Sequence, residues 1–185
     1  MEQSLTAMAD QLLDEIVPLG AGDFVQLFAS PFPALAIGEL LVVRGEDREM
    51  FGELTAITVA ALSGGDVERY LQAKEALGDY IDARLAERES LHDSELRADV
   101  LTAMLRARAE GVLSPGEVRQ MGHQLLIAGH ETTTSLLGMM LLRLIQNPLV
   151  MQRLRDDPSL IPAAVEEALR FDSPVNGLFR TNSSE

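Results

Sequence analysis

The run from Ser114 to Gln146 limits the possible folds more than any other part of the sequence. Ser114-Pro115-Gly116-Glu117 supplies a capping serine, a proline at the first helical position and a glutamate three residues after the cap. Val118, Met121, Leu125, Thr132, Leu136, Met140 and Leu144 then recur at intervals of three, four or seven until Asn147-Pro148 breaks the pattern. The spacing predicts one helix over 115–146, roughly 48 Å long at about 1.5 Å per residue. Apolar side chains occur on nearly every side of it, which predicts a helix passing through the middle of a protein, with the other elements arranged around it.

The other apolar positions also fall at helical spacing, and no alternation is strong enough to argue for a strand. Helices are predicted over 3–17, stopped by Pro18, Gly20 and Gly22, and over 23–41, where Pro31 and Pro33 imply a kink or two short pieces. Further helices are predicted over 46–62, 66–89, 95–110, 148–156 and 160–171, with residues 172–185 as extended loop. Leu5, Met8, Leu12, Leu13 and Ile16 share one face of the first helix. Tyr70, Leu71, Leu77, Ile81 and Leu85 are expected to point inward from the helix over 66–89. The fold class is mainly α: about seven or eight helices around one long central helix, little or no strand, and a single unit over 1–185.

Composition narrows the function. Fifteen Lys and Arg against 29 Asp and Glu leave a net charge of −14 in 185 residues, which repels phosphate backbones and argues against a nucleic-acid partner. Zero cysteines exclude disulfides, thiolate metal sites and thiol nucleophiles from this sequence. No basic start followed by an apolar run resembles a signal peptide, so a cytoplasmic setting is expected. Residues 125–145 carry His130, Glu131, Thr132, Thr133, Thr134, Ser135 and Arg143, too polar a set for a predicted membrane span.

Chemistry concentrates in Ala128-Gly129-His130-Glu131-Thr132-Thr133-Thr134, where packing alone would prefer leucine. A glycine inside a helix costs about 1 kcal/mol relative to alanine, and a buried carboxylate costs more unless paired. Such departures cluster where a functional site is built into a core. Ala128 and Gly129 leave room for a flat or bulky ligand. Thr132 can bond back to a carbonyl one turn earlier and bend or open the helix. Glu131 is a candidate proton carrier. The bland alternative is a kink in a core helix stabilised by threonine. His130-Glu131 begins the zinc pattern H-E-x-x-H, but residue 134 is threonine, and His123 lies about 10 Å from His130 along the axis. Both histidines are expected in the core or a cavity.

Ala128-Gly129-His130-Glu131-Thr132-Thr133 resembles the oxygen-activating motif on the long central helix of cytochrome P-450 monooxygenases of bacterial type. Glu167-Ala168-Leu169-Arg170 resembles that family's Glu-x-x-Arg motif, in the same order along the chain. Phe28-Ala29-Ser30-Pro31-Phe32-Pro33, Ile37-Gly38-Glu39-Leu40-Leu41 and Arg170-Phe171-Asp172-Ser173-Pro174-Val175 are similar to further family segments. The resemblance implies that Glu131 and Thr132 manage protons, with Ala128, Gly129 and Thr133 beside a haem. It implies that Glu167 and Arg170 pair structurally, Val175 faces substrate and Arg180 binds a haem propionate. Without it, Glu167 and Arg170 would read as an ordinary solvated pair.

The family's axial ligand is a cysteine thiolate, which this sequence does not contain. The expectation is an internal piece of such an enzyme, lacking the earlier helices and the ligand loop. The parent would insert one oxygen atom from dioxygen into a small apolar substrate, with electrons from a ferredoxin-type partner. The chain alone is expected to be inactive and not to bind haem stably. A non-enzymatic helical module for binding or assembly is the alternative.

Overall fold

The computed structural model describes residues 2–62, 64–92, 95–96, 99–175 and 177. Among them are eight α-helices and no strand: α1 (Glu2–Ile16), α2 (Pro31–Leu40), α3 (Arg48–Leu62), α4 (Val67–Glu89), α5 (Val100–Ala109), α6 (Pro115–Gln146), α7 (Pro148–Asp156) and α8 (Ile161–Phe171). The mainly α class expected from periodicity is the class observed.

The cap at the start of α6 forms as its sequence dictates. Ser114 Oγ accepts from the Glu117 amide at 3.3 Å, and Glu117 Oε2 accepts from the Ser114 amide at 2.7 Å. The helix then runs without interruption for 32 residues. Its burial is narrower than expected: Val118, Gly122, His123, Leu126 and His130 form one buried stripe, and the opposite side is open. Apolar residues on several sides predicted a helix enclosed all round, but the described helices cover only one side.

The cover consists of α2, α3, α4 and α5, whose Ile37, Phe51, Leu77, Ile81, Leu101 and Met104 meet Val118 and Leu126 in a single core. Gly122 permits the closest approach, because a Cβ there would lie 2.1 Å from Ile81 Cδ1 of α4. Arg119 ties the same two helices together. It donates to Glu75 at 2.7 Å and Asp82 at 2.8 Å and also pairs with Asp79, three carboxylates that hold its guanidinium above its ordinary range.

Other expectations need correction. Leu71 is 56% exposed, because the inward stripe of α4 runs through Ala73, Leu77, Gly78, Ile81 and Leu85. In α1 only Leu12 is buried, and Leu13 stands outward. The fifth helix begins at Val100 and not at 95, because the Asp99 carboxylate accepts from the Thr102 amide at 2.8 Å and caps it. The segment over 23–41 divides into a one-turn π-helix, Val25–Ala29, and α2.

The end of α2 carries strain. Val43 N–H donates to Gly38 O at 2.7 Å and Val42 N–H to Glu39 O at 3.1 Å, with Val42 between them at φ 53°. This is a Schellman closure with a β-branched residue at the left-handed position that glycine usually takes.

Candidate functional site

The polar notch of α6 lies where the buried stripe meets the open side. Ala128 is exposed, Gly129, Glu131, Thr132 and Thr133 are half-buried, and His130 is buried. Thr132 donates its hydroxyl to Ala128 O at 2.6 Å, the back-bond expected from sequence, while the helix stays continuous and does not open. Gly129 turns toward α2, where a Cβ would meet Ile37 Cδ1 at 3.1 Å. A groove of about 660 Å³ follows this side, lined by Gln120, Met121, Gln124 and Ala128 of α6 with Ile37 and Leu40.

His130 points the other way, its Nε2 3.4 Å from Ser30 Oγ. Burial pushes its imidazole below the ordinary histidine range, while the Ser30 contact and the Glu131 charge oppose that shift. His123 is likewise lowered by burial and, secondarily, by the Lys74 charge, and its ring packs edge-on against Tyr70.

Glu167 and Arg170 meet each other in a two-pronged ion pair, with Nε to Oε2 and Nη2 to Oε1 both 2.7 Å. The hydrogen bonds from Arg170 hold the Glu167 carboxyl below the usual carboxylate range. Both side chains are well exposed, at 60% and 68%. They do not join the notch, since α8 packs against the last turns of α6, about 12 Å further along its axis. Val175 is exposed in the loop after α8, where its carbonyl accepts from Ser173 Oγ at 2.9 Å. Arg180 lies outside the described residues.

Sequence reasoning missed the clamp at that junction. Arg143 of α6 grips Asp172 with Nε to Oδ2 at 2.6 Å and Nη2 to Oδ1 at 3.0 Å, and its guanidinium lies 5.2 Å from the Phe171 ring centre. The partners are 29 positions apart, on elements whose docking no local pattern encodes.

The family described as Cytochrome P450 matches residues 37–185. The chain belongs to the cytochrome P450 family. Cytochrome P450 107B1 of Saccharopolyspora erythraea is 40% identical over 175 residues, 94% of this chain and 42% of that protein. A steroid C26-monooxygenase of Mycobacterium tuberculosis is 31% identical over 189 residues, all of this chain and 50% of that protein. The crystal structure of CYP109E1 from Bacillus megaterium in complex with testosterone superposes with a TM-score of 0.82 at 28% identity, over 94% of this chain and 47% of that one. The chain thus spans about half or less of the relatives it matches, and carries part of the P450 fold.

A P450 uses a haem. Exposed Ala128 and half-buried Thr132 and Thr133 suit one flank of a flat group lying against the open side of α6. They would flank such a group on one side; the sequence has no cysteine that would ligate its iron, and His123 and His130 belong to the buried stripe. By length and composition alone α6 also passes the test for a membrane-crossing helix, with a mean hydropathy of 1.2, a test that core helices pass as well.

Proposed function

We propose that residues 1–185 act as one partial domain of a haem-dependent monooxygenase, and that the completed protein inserts one oxygen atom of dioxygen into a small apolar substrate. The observation that carries this reading is the Glu131–Thr132 notch on the open side of α6, backed by a packed stripe that fixes its position. Glu131 would carry protons to the reacting oxygen and Thr132 would orient them, general acid work once the completed protein covers this side of α6. Thr132 already commits its proton to Ala128 O, so its oxygen lone pairs remain free to accept. Ala128, Gly129 and Thr133 would border the haem, Arg180 would bind a propionate and Val175 would face the substrate. Glu167 and Arg170 would keep a structural role.

The steroid monooxygenase and the testosterone complex among the relatives support an apolar substrate class. A ferredoxin-type electron donor and a cytoplasmic setting complete the proposal. The chain alone would be inactive, because its sequence offers no thiolate to the iron.

The test is a chimera in which residues 1–185 replace the matching part of cytochrome P450 107B1. The expected result is a reduced, carbon-monoxide-bound thiolate Soret band, with Thr132→Ala lowering product formed per dioxygen consumed by about 10²-fold, the lower end of the range for general acid catalysis. A correctly assembled chimera in which Glu131→Gln and Thr132→Ala leave that ratio unchanged would remove both residues from the mechanism.

A further inference from the structure

The junction of α6, α7 and α8 carries an apolar groove and an apolar projection side by side. The groove, about 330 Å³, is floored by half-buried Met140, Leu144, Ala164 and Ala168, with exposed Val150 and Phe171 at its edges. Leu149 precedes Val150 in the chain and is 83% exposed, the most of any large apolar side chain described. A lone exposed leucine needs no explanation. Leu149, Val150 and Phe171 stand out together beside one groove, and such a grouping marks a contact surface.

Charge is distributed so that two copies can approach through this end. Residues 132–175 carry four arginines against five carboxylates, whereas residues 1–131 carry ten basic side chains against 23 acidic ones. Nearly all of the net charge of −14 therefore lies away from the junction, where it repels least. Arg153 follows Leu149 by one turn on the outer face of α7 and has no ion pair among the described residues. The exposed Glu167 carboxylate lines the groove, so opposite charges flank the projection and its seat. Surface is also in excess. The chain exposes 12272 Å², where a compact monomer of 20.2 kDa exposes about 8800 Å². The surplus of about 3500 Å² is well above the roughly 800 Å² that each partner buries in a specific interface.

We propose that two copies of this chain pair about a two-fold axis at the α6–α7–α8 junction, each seating Leu149 in the groove of the other. Because projection and groove are neighbours on one copy, a single axis satisfies both contacts at once, and the assembly closes at two. Arg153 of each copy then comes toward the Glu167 rim of the other. The contact is small, so the pair separates on dilution. The pairing does not rest on the monooxygenase reading, and the activity of the chimera has no bearing on it.

Sedimentation equilibrium of the full chain, from micromolar to submillimolar concentration, tests it. A monomer–dimer equilibrium is expected. Leu149→Glu, which disturbs no packed position, should weaken it by about tenfold or more, as the loss of one buried leucine implies. Met121→Glu, on the open side of α6, should leave it unchanged. The sequence has no cysteine, so an equimolar mixture of Leu149→Cys and Ala168→Cys chains should form a mixed disulfide faster than either variant alone forms its own. A monomer at every concentration, association without limit, or a dimer indifferent to Leu149→Glu overturns the pairing. Association lost in Met121→Glu alone places the contact on the open side of α6 and overturns it equally.

Discussion

The first four turns of α6 and its last two are held in different ways. From Val118 to His130 the helix is fixed by apolar burial against α2, α3, α4 and α5, with glycine at 122 where α4 comes closest. Beyond it, α7 and α8 contain no buried residue, Leu149 is 83% exposed, and the docking of α8 depends on Arg143 with Asp172 and Phe171. The first region positions the notch and has a core of its own. The second consists of amphipathic helices laid on α6 through half-buried apolar side chains such as Met140, Leu144, Ala164 and Ala168, with one ion pair at the end of α8.

The largest expected contrast is between leucines. Leu126→Ala, in the buried stripe, should cost about 2–5 kcal/mol, the range for emptying a packed core position, whereas Leu149→Ala should change stability by less than about 0.5 kcal/mol. Chemical denaturation of both variants measures this, and equal effects would erase the distinction. Ser114→Ala removes the cap that starts the packed region and should cost about 1 kcal/mol. Val42→Gly should instead stabilise by roughly 0.5–1 kcal/mol: relief of left-handed strain, worth about 1–2 kcal/mol, exceeds the entropy and packing lost with the side chain.

Acid should sharpen the comparison. His123 and His130 are held below the ordinary imidazole range, so around pH 6.5 the unfolded chain binds more protons than the folded one. Stability of the packed region therefore falls as pH drops through that range, and His123→Phe should flatten the dependence in thermal melts. The α8 junction responds lower on the scale. Its Asp172 carboxyl is depressed by the Arg143 hydrogen bonds, so the clamp persists above the ordinary carboxylate range and is lost as pH falls through the depressed value. The smallest effect is expected from Arg143→Met, which should speed amide exchange in α8 while leaving α4 unchanged.

Features encoded within a few residues were legible in the sequence. The α6 cap, the break at Asn147-Pro148 and the Thr132 back-bond involve neighbours within one turn, and all are present as read. The motif at 128–133 with Glu167 and Arg170 pointed to the family that the comparisons show. Features set by docking were not legible. Leu71 fits the apolar pattern of α4 yet faces out, because Gly78 and the Arg119 carboxylates fix how α4 turns against α6. Ser30 approaches His130 across 100 positions, and Val42 takes a glycine conformation that no local rule assigns to valine.

The sequence has no cysteine, so single-cysteine variants can report the exposure of α6 one position at a time. Thiol labelling of Met121→Cys, Gln124→Cys and Ala128→Cys should be fast, and labelling of Val118→Cys and Leu126→Cys at least tenfold slower, marking an open side beside the notch and a packed stripe behind it. Equal rates at all five positions would contradict the account.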